Sequence, residues 1–313
     1  MTTRSGPGIG RPDPSLSVIT GERRHLTNLA YRMLGSLADA EDAVQETYAR
    51  WYTLSREQRE AIESPGGWLT TVASRICLDL LGSARARREL YVGEWLPEPL
   101  PAAAEESAAA DPAERVTLDE SVSMAFLVVL ETMTPAERVA FVLHDVFRYP
   151  FAEVAEIVGR TPAASRQLAS SARRRVRAAR PPAAPAAQRA AAVGSAVVVR
   201  DFKAAWEAKD IGALIGLLDP DATATADGGG LVSAALRPIE GGDQVARYLA
   251  ALLGRLPGLT ITEAAVNGQP GLVAEQDGAV VTVFAFGIAA DKVTRIWIIR
   301  NPNKLTRWAD QAG

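Results

Sequence analysis

The clearest chemical signal in this sequence is a run of arginines between residues 160 and 180. Seven arginines occur in this stretch with no acidic residue among them: Arg160, Arg166, Arg173, Arg174, Arg175, Arg177 and Arg180. A guanidinium can pair with guanine or with phosphate oxygens, so the chemistry indicated is recognition of DNA. The plainer alternative is a solvated basic face on an ordinary helix pair, and the uninterrupted run favours DNA.

Two short helices are predicted to position these arginines. Apolar residues recur at helical spacing over 151–158, Gly159 interrupts the pattern, and Thr161 and Pro162 suit the start of a second helix. This is the pattern of a helix-turn-helix, whose second helix enters the major groove. The residues expected to face the bases are Ala163, Ala164, Arg166, Gln167 and Ser170. The residues expected to bind phosphates are Arg173, Arg174 and Arg177.

The N-terminal block is predicted to be helical and carries an acidic cluster. Residues 38–52 form a helix with four acids near its start, and a further helix begins at Ser64 and Pro65. Acids in a first turn favour the helix dipole, as do arginines in a last turn, so a structural role is available for both groups. An acidic helical face can equally bind a basic partner surface.

The order of these segments resembles the extracytoplasmic-function (ECF) group of the sigma-70 superfamily. The resemblance runs from about Leu16 to Arg180 through LAYRMLGSLADAEDAVQETYARW, PGGWLTTVASRICLDLLGSARARRE and the helix-turn-helix. It implies that region 2 binds core RNA polymerase and reads the −10 element, and that region 4 reads the −35 element. By position, the polymerase-binding residues are Asp39, Glu41, Asp42, Gln45 and Glu46. The −10 DNA-binding residues are Arg75, Arg85, Arg87 and Arg88.

The C-terminal part changes character and is predicted to be an α+β cone. Helical patterns come first, and Asp277-Gly278 and Asp291-Lys292 then separate strands as hairpin turns, which gives a curved antiparallel sheet. This resembles the SnoaL-like, nuclear transport factor 2-like domain, whose relatives include enzymes. Asp227 lies beside three glycines and is the best candidate for a general base.

The linker between the two sigma regions carries the motif WLPEP. Its alternating prolines predict an extended path, and Trp95 and Leu96 are predicted to pack against another part of the chain. Together with DGGG (227–230) and NPNKL (301–305), the motif resembles that of an ECF subgroup with a C-terminal SnoaL-like domain. In that subgroup Leu231 would be lysine and Asn303 would be aspartate. The resemblance implies that the attached domain sits on the sigma body and modulates its activity in cis. The predicted interdomain residues are Trp95, Leu96, Pro97, Glu98, Pro99, Asp227, Gly228, Gly229, Gly230, Asn301, Pro302, Lys304 and Leu305.

The sequence thus predicts a multidomain chain with two all-α sigma domains followed by the α+β domain. The expected bounds are a tail at 1–14, region 2 at 15–90, a linker at 91–112, region 4 at 113–180, a linker at 181–192, the SnoaL-like domain at 193–307 and a tail at 308–313.

Composition limits the other function classes. Net charge is only −3, so DNA binding must come from local clustering. Cys77 is the only cysteine, which excludes an intramolecular disulfide and a cysteine-based zinc site, and no cofactor is expected. No signal peptide or membrane-length apolar run is visible, so a cytoplasmic protein is expected.

The predicted function is that of a sigma factor that directs promoter recognition and has no catalysis of its own. A helix-turn-helix regulator with a small-molecule sensor domain is the alternative, and an enzyme of the SnoaL-like class is a third. The SnoaL-like pocket could also hold a small ligand.

Overall fold

The computed structural model describes residues 14–88, 91–101, 122–179, 185–255 and 258–309. Arg180, which was predicted to end region 4, lies outside these ranges. The N-terminal block consists of α1 (Pro14–Leu34), α2 (Leu37–Thr53), α3 (Arg56–Glu60) and α4 (Pro65–Arg88). The Ser36 side chain caps α2 by accepting a hydrogen bond from the Asp39 N–H.

The second helical block consists of α5 (Met124–Glu131), α6 (Pro135–Phe141), a π-helical turn (Val142–Val146), α7 (Phe151–Val158) and α8 (Pro162–Ala179). The predicted helix-turn-helix is confirmed in α7 and α8. Gly159 ends α7 with a φ of 66°, and the Thr161 hydroxyl accepts a hydrogen bond from the Ala164 N–H at 3.2 Å. The local sequence therefore determines both helix ends.

The two helical blocks share one hydrophobic core. Leu29 and Met33 of α1 belong to the same buried cluster as Val142 and Val154 of the second block. Helix α4 packs against both α6 and α7. The two helical blocks therefore form one closed body rather than two separate lobes.

The C-terminal domain begins with two helices and continues as a sheet. Its elements are α9 (Pro185–Glu207), α10 (Ile211–Leu217), β1 (Leu218–Asp227), β2 (Ile239–Glu240), α11 (Gly242–Arg255), β3 (Thr260–Val266), β4 (Gln269–Gln276), β5 (Ala279–Ala289), β6 (Lys292–Ile299), a 3₁₀ turn (Pro302–Lys304) and α12 (Thr306–Ala309). Within the described residues the strand order is β2-β1-β6-β5-β4-β3. The expectation of an antiparallel sheet is wrong for one pairing, because β1 and β6 are parallel. After the α11 crossover, the β3–β6 meander brings the chain back beside β1 in the same direction.

Of the three hairpin turns between β3 and β6, the sequence predicted one correctly, one shifted by a residue, and one not at all. Asp277 and Gly278 form the turn between β4 and β5, as expected. The next turn is Ala290-Asp291 rather than Asp291-Lys292, because Lys292 already starts β6. Sequence reasoning missed a third turn at 267–268, where Asn-Gly joins β3 to β4 with both φ values positive. Asn-Gly is a strong hairpin signal, so this turn was predictable.

The two faces of the sheet are buried in different ways. Phe202, Trp206 and Phe284 lie in the buried core on the inner, concave side, where the centroid of the Trp206 ring is 6.5 Å from that of Phe202 and 5.0 Å from that of Phe284. The outer face, which includes Trp297 and Ile299, packs on a second set of residues from the linker, α5 and α12. The predicted domain bounds at 14, 192 and 307 fall inside α1, α9 and α12.

Candidate interdomain site and nucleic-acid interface

The linker meets the C-terminal domain at the carboxylate of Asp227, which is fully buried. One oxygen, Oδ1, accepts hydrogen bonds from the Tyr91 hydroxyl at 2.6 Å and the Gly229 N–H at 3.0 Å. The other, Oδ2, accepts from the Leu96 N–H at 2.9 Å and from Lys304 Nζ at 2.7 Å. Burial raises the pKa of Tyr91, and its hydrogen bond to this carboxylate raises it further. Asp227 is therefore a fully engaged structural anion.

The ammonium group of Lys304 joins the other two motifs to this carboxylate. Its side chain is 10% exposed, and Nζ also donates to the Leu96 carbonyl oxygen. Nζ lies 4.0 Å from the centroid of the Trp95 ring, a cation–π distance. The three sequence motifs thus converge on one buried ion pair.

The close approach of the Asn301 side chain explains why position 229 of the DGGG motif is glycine. The Asn301 amide donates to the Tyr91 hydroxyl at 2.8 Å. A Cβ on Gly229 would lie 2.5 Å from Asn301 Nδ2, and the φ of Gly229 is +64°. Both facts require glycine. Of the other predicted interdomain residues, Pro97, Pro99, Gly228 and Leu305 are buried, whereas Gly230 and Pro302 are exposed.

The linker also contacts the start of the acidic helix. Glu98 is 5% exposed, and its Oε2 accepts a hydrogen bond at 2.7 Å from the N–H of Leu37, the first residue of α2. Its own N–H donates to the Gly35 carbonyl at 2.8 Å. Burial raises the pKa of Glu98, while the Leu37 and Ala38 N–H groups partly oppose the rise. A linker carboxyl thereby caps α2.

A buried polar chain ties region 2 to the Asn-Gly turn. The Tyr31 hydroxyl donates to the Glu98 carbonyl at 2.7 Å and accepts from Asn267 Nδ2 at 3.0 Å. The Asn267 N–H donates to the Leu100 carbonyl at 2.8 Å, and the Leu100 N–H donates to Asn267 Oδ1 at 3.2 Å. The linker is therefore held between region 2 and the C-terminal domain. We call the set Tyr91, Trp95, Leu96, Glu98, Asp227 and Lys304 the linker clasp.

Helix α12 extends the contact to the acidic face of α2. The Trp308 indole donates to the Pro99 carbonyl at 2.9 Å, and Arg307 forms an ion pair with Glu41. Glu41 is half-buried, while the other predicted polymerase-binding residues are exposed: Asp39, Asp42, Gln45 and Glu46. The C-terminal domain therefore contacts the helix predicted to bind polymerase.

The predicted DNA-reading face of α8 points outward. Exposed side chains are Ala163, Arg166, Gln167, Ser170, Arg174 and Arg177, whereas Ala164 and Arg173 are half-buried. Arg173 pairs with Asp145 at 2.5 Å. The Arg166 guanidinium lies 5.5 Å from the Phe151 ring centroid. The bulk of the basic face is thus free of the C-terminal domain.

Of the four residues predicted to contact the −10 element, only Arg75 has a side chain within the described part of the chain. Arg75 is exposed on α4 and donates to the Glu156 carbonyl of α7 at 3.1 Å. Arg85, Arg87 and Arg88 belong to the last turns of α4, but their side chains lie outside the described part of the chain. Nearby, His25 Nε2 and the Thr70 hydroxyl each lie 3.1 Å from the Tyr149 hydroxyl, at the junction of the two sigma regions.

Sequence reasoning missed several residues of this interface, namely Tyr31, Tyr91, Asn267, Arg307 and Trp308. The signal for Asn267 was its Asn-Gly turn. Trp308 is a large apolar residue near the C-terminus, and such a residue is seldom left exposed. Nothing local distinguishes Tyr31, Tyr91 or Arg307.

Comparison with known proteins defines the class of protein first. Three family descriptions match the chain: Sigma-70 region 2 over residues 18–87, Sigma-70, region 4 over residues 123–176, and SnoaL-like domain over residues 199–300. In the described residues no helix is long and apolar enough to cross a membrane, and no group of side chains there is arranged to hold a metal ion.

Individual relatives identify the family more closely. The chain is 42% identical to the ECF RNA polymerase sigma factor SigJ of Mycobacterium tuberculosis H37Rv, over 91% of each chain. It is 36% identical to the probable ECF sigma factor SigI of M. tuberculosis CDC 1551, over 95% of this chain and 97% of that protein. The crystal structure of M. tuberculosis SigJ superposes with a TM-score of 0.72 and 39% identity, covering 93% of this chain and 98% of the other. The chain belongs to the ECF RNA polymerase sigma factors, and its partners as a class are core RNA polymerase and promoter DNA.

Proposed function

We propose that this sigma factor regulates itself, and that the linker clasp holds it in a closed form which core polymerase must open. The observation that carries the proposal is the Asp227–Lys304 ion pair, which fastens the linker between the sigma regions to the C-terminal domain. Because the linker connects region 2 to region 4, fixing its path restrains both. Polymerase would then select the open form at a cost set by the stability of the clasp.

The polymerase-binding surface is proposed to be the acidic face of α2, formed by Asp39, Glu41, Asp42, Gln45 and Glu46. Two contacts support competition between this role and the closed form. Arg307 already occupies Glu41, and Glu98 already caps the start of the helix. A basic polymerase surface would need to displace the first contact.

Promoter recognition is proposed to use two surfaces. Region 4 would read the −35 element with the N-terminal side chains of α8, and region 2 would contact the −10 element with the arginines of α4. The hydrogen bond from Arg75 to the Glu156 carbonyl supports a block in the closed form. To engage DNA with this nitrogen, Arg75 would first release the Glu156 carbonyl.

We further propose that the C-terminal domain has no catalytic activity, and that the protein works in the cytoplasm, where promoter DNA is found. Asp227 is a poor general base, because two N–H groups, a hydroxyl and an ammonium occupy its oxygens. Asp227 also follows Ala226, whose side chain lies in the inner core, so strand alternation puts the carboxylate on the outer side.

The test is equilibrium binding of core RNA polymerase, paired with transcription in vitro from one promoter. Full-length protein is compared with truncations after Arg180 and after Arg300, and with Lys304→Met. The matched control is Arg247→Met, which breaks an exposed pair, Asp243–Arg247, on α11. We expect the truncations and Lys304→Met to bind core polymerase more tightly than full-length protein, and Arg247→Met to match it. Equal affinities throughout would disprove regulation by the clasp.

A further inference from the structure

Arg166, which is expected to face the bases of the −35 element, lies against an aromatic ring. Its guanidinium carbon is 5.5 Å from the centroid of the ring of Phe151, the first residue of α7. A guanidinium over an aromatic face at this distance forms a cation–π contact. Within the described part of the chain, the Arg166 side chain forms no ion pair and no hydrogen bond. The contact with Phe151 is therefore the one polar or aromatic interaction found there for this exposed side chain.

The neighbours of Arg166 on its own helix give it little support. Residues three and four positions away lie beside a side chain on a helix surface, and here they are short: Pro162, Ala163, Ala169 and Ser170. None of them carries a charge or an aromatic ring. The contact that orders Arg166 thus comes from α7, across the turn of the helix-turn-helix.

The Phe151 ring is itself held by the segment that precedes α7. It stacks on the His144 ring, with the two centroids 3.7 Å apart and the ring planes at 26°. His144 Nδ1 donates to the Tyr149 carbonyl oxygen at 2.9 Å, which orients the imidazole. His144 belongs to the π-helical turn Val142–Val146, and such turns are frequent at functional sites. The fold therefore fixes the ring against which Arg166 lies.

Two arginines further along α8 are held in a different way. Arg173 pairs with Asp145 at 2.5 Å, and Arg175 donates to the Thr132 carbonyl at 2.8 Å. These contacts use N–H donors that a nucleic acid would otherwise accept. An aromatic face uses none, so the five N–H donors of Arg166 remain available to guanine, which accepts at O6 and N7.

We propose that Phe151 is a positioning residue for promoter recognition, whose ring orders the Arg166 guanidinium before DNA is bound. This inference rests on the proposed reading of the −35 element by α8. An arginine loses rotamer entropy when it is fixed on a base, and a ring that restricts it beforehand reduces that loss. A mismatched base gains nothing, because it lacks the paired acceptors. Phe151 therefore increases discrimination at one base pair rather than the affinity for DNA in general.

The test is binding of holoenzyme, assembled with full-length variants, to a randomised −35 library. Phe151→Leu removes the ring and keeps an apolar side chain, whereas Phe151→Tyr keeps the ring. At the base pair that Arg166→Ala identifies, we expect Phe151→Leu to reduce discrimination by about 2- to 5-fold, the strength of an exposed cation–π contact. Phe151→Tyr should retain it. The matched control is Val158→Ala, half-buried at the other end of α7, which should leave the base preference unchanged.

Two further readouts separate positioning from folding. In an Arg166→Ala background, Phe151→Leu should cause no additional loss of base preference, and an additional loss would overturn the positioning role. The salt dependence of binding should be the same with and without Phe151→Leu, because the phosphate contacts proposed for Arg174 and Arg177 are kept. A residue with a purely structural role would weaken binding to every sequence alike.

A second variant covers the case in which Phe151→Leu fails to fold, as judged by circular dichroism. His144→Ala removes the ring on which Phe151 stacks and should cause a smaller loss at the same base pair. If Arg166→Ala alters the preference there while Phe151→Leu and His144→Ala do not, the positioning role is overturned and the reading of the −35 element stands. If Arg166→Ala leaves every preference unchanged, the proposed reading by Arg166 is wrong and the inference falls with it.

Discussion

Lys304 forms an ion pair with the carboxylate of Asp227. Its partner Asp227 is 0% exposed, so removing the ammonium leaves an uncompensated buried charge. We expect Lys304→Met to lower the free energy of unfolding by about 3–5 kcal/mol, measured by urea denaturation. Adding Asp227→Asn should recover part of the loss. Arg247→Met, which breaks an exposed pair, should cost less than about 1 kcal/mol. Equal losses in the two single variants would contradict a buried ion pair.

His25 gives the junction of the sigma regions a pH dependence. Burial lowers its pKa below 6.5, the Glu22 carboxylate opposes the shift, and the Arg32 guanidinium adds to it. The Phe147 ring and the Tyr149 hydroxyl face it from the second block. The folded state favours neutral imidazole, so its stability is complete above pH 6.5 and declines as the pH falls from there toward the lowered pKa.

The test is the free energy of unfolding at about pH 7 and about pH 5.5, a window above the titration of most carboxylates. Wild-type protein should lose up to about 1.4 kcal/mol for each unit by which the pKa is lowered. His25→Gln keeps a hydrogen-bonding side chain that does not titrate, so its loss should be smaller. The same loss in both proteins would assign the pH dependence to other groups.

Helix α2 depends on a residue outside its own sequence. Glu98 supplies an acceptor to the Leu37 N–H, in addition to the local Ser36 cap. We expect Glu98→Ala to destabilise the protein by about 1–2 kcal/mol, because a buried helix end loses its partner. Glu57→Ala is the control, since Glu57 is an exposed first-turn residue of α3. Hydrogen exchange should show faster exchange at the start of α2 in Glu98→Ala alone, and unchanged exchange there would refute the cap.

Helix α8 is predicted to divide its arginines between bases and phosphates. Arg166→Ala should cost about 1–3 kcal/mol at the preferred −35 sequence and relax the base preference there. Arg177→Ala should weaken binding of all sequences alike and reduce the salt dependence by about one phosphate contact. The measurement is holoenzyme binding to a randomised −35 library at several salt concentrations. Identical sequence preferences in the two variants would contradict this division.

Local sequence signals predict the elements of this protein better than their connections. Gly159, Thr161 and Pro162, together with the apolar spacing over 151–158, predicted the helix-turn-helix, because each of the three sets the backbone at its own position. The parallel β1–β6 pair was not predictable, since it depends on where the meander returns. The hydrogen bonds of Tyr91 to Asp227 and of Asn267 to Tyr31 join residues 136 and 236 positions apart, so no periodic pattern reveals them. The motifs indicated an interdomain site, and only the fold showed its geometry.

The whole molecule is a closed body. One extended linker contacts region 2, region 4 and the C-terminal domain. The outer face of the sheet packs on Leu96, Met124 and Trp308, which come from the linker, region 4 and the C-terminus. Opening the clasp therefore exposes apolar surface on both sides. Under the proposed regulation, that cost keeps the free protein closed, and binding to polymerase has to offset it.

The most direct measurement is the distance between α2 and the C-terminal domain by electron spin resonance of paired nitroxide labels. Cysteines introduced at the exposed Ala49 and Ala279 carry the labels. The native Cys77 does not compete, because it is fully buried and burial raises the pKa of its thiol to about 12. We predict one short, narrow distance distribution in the free protein, and a longer one when core RNA polymerase is added or when Lys304→Met is present. A distribution that stays unchanged while the sigma factor is bound to polymerase would contradict the closed-to-open account.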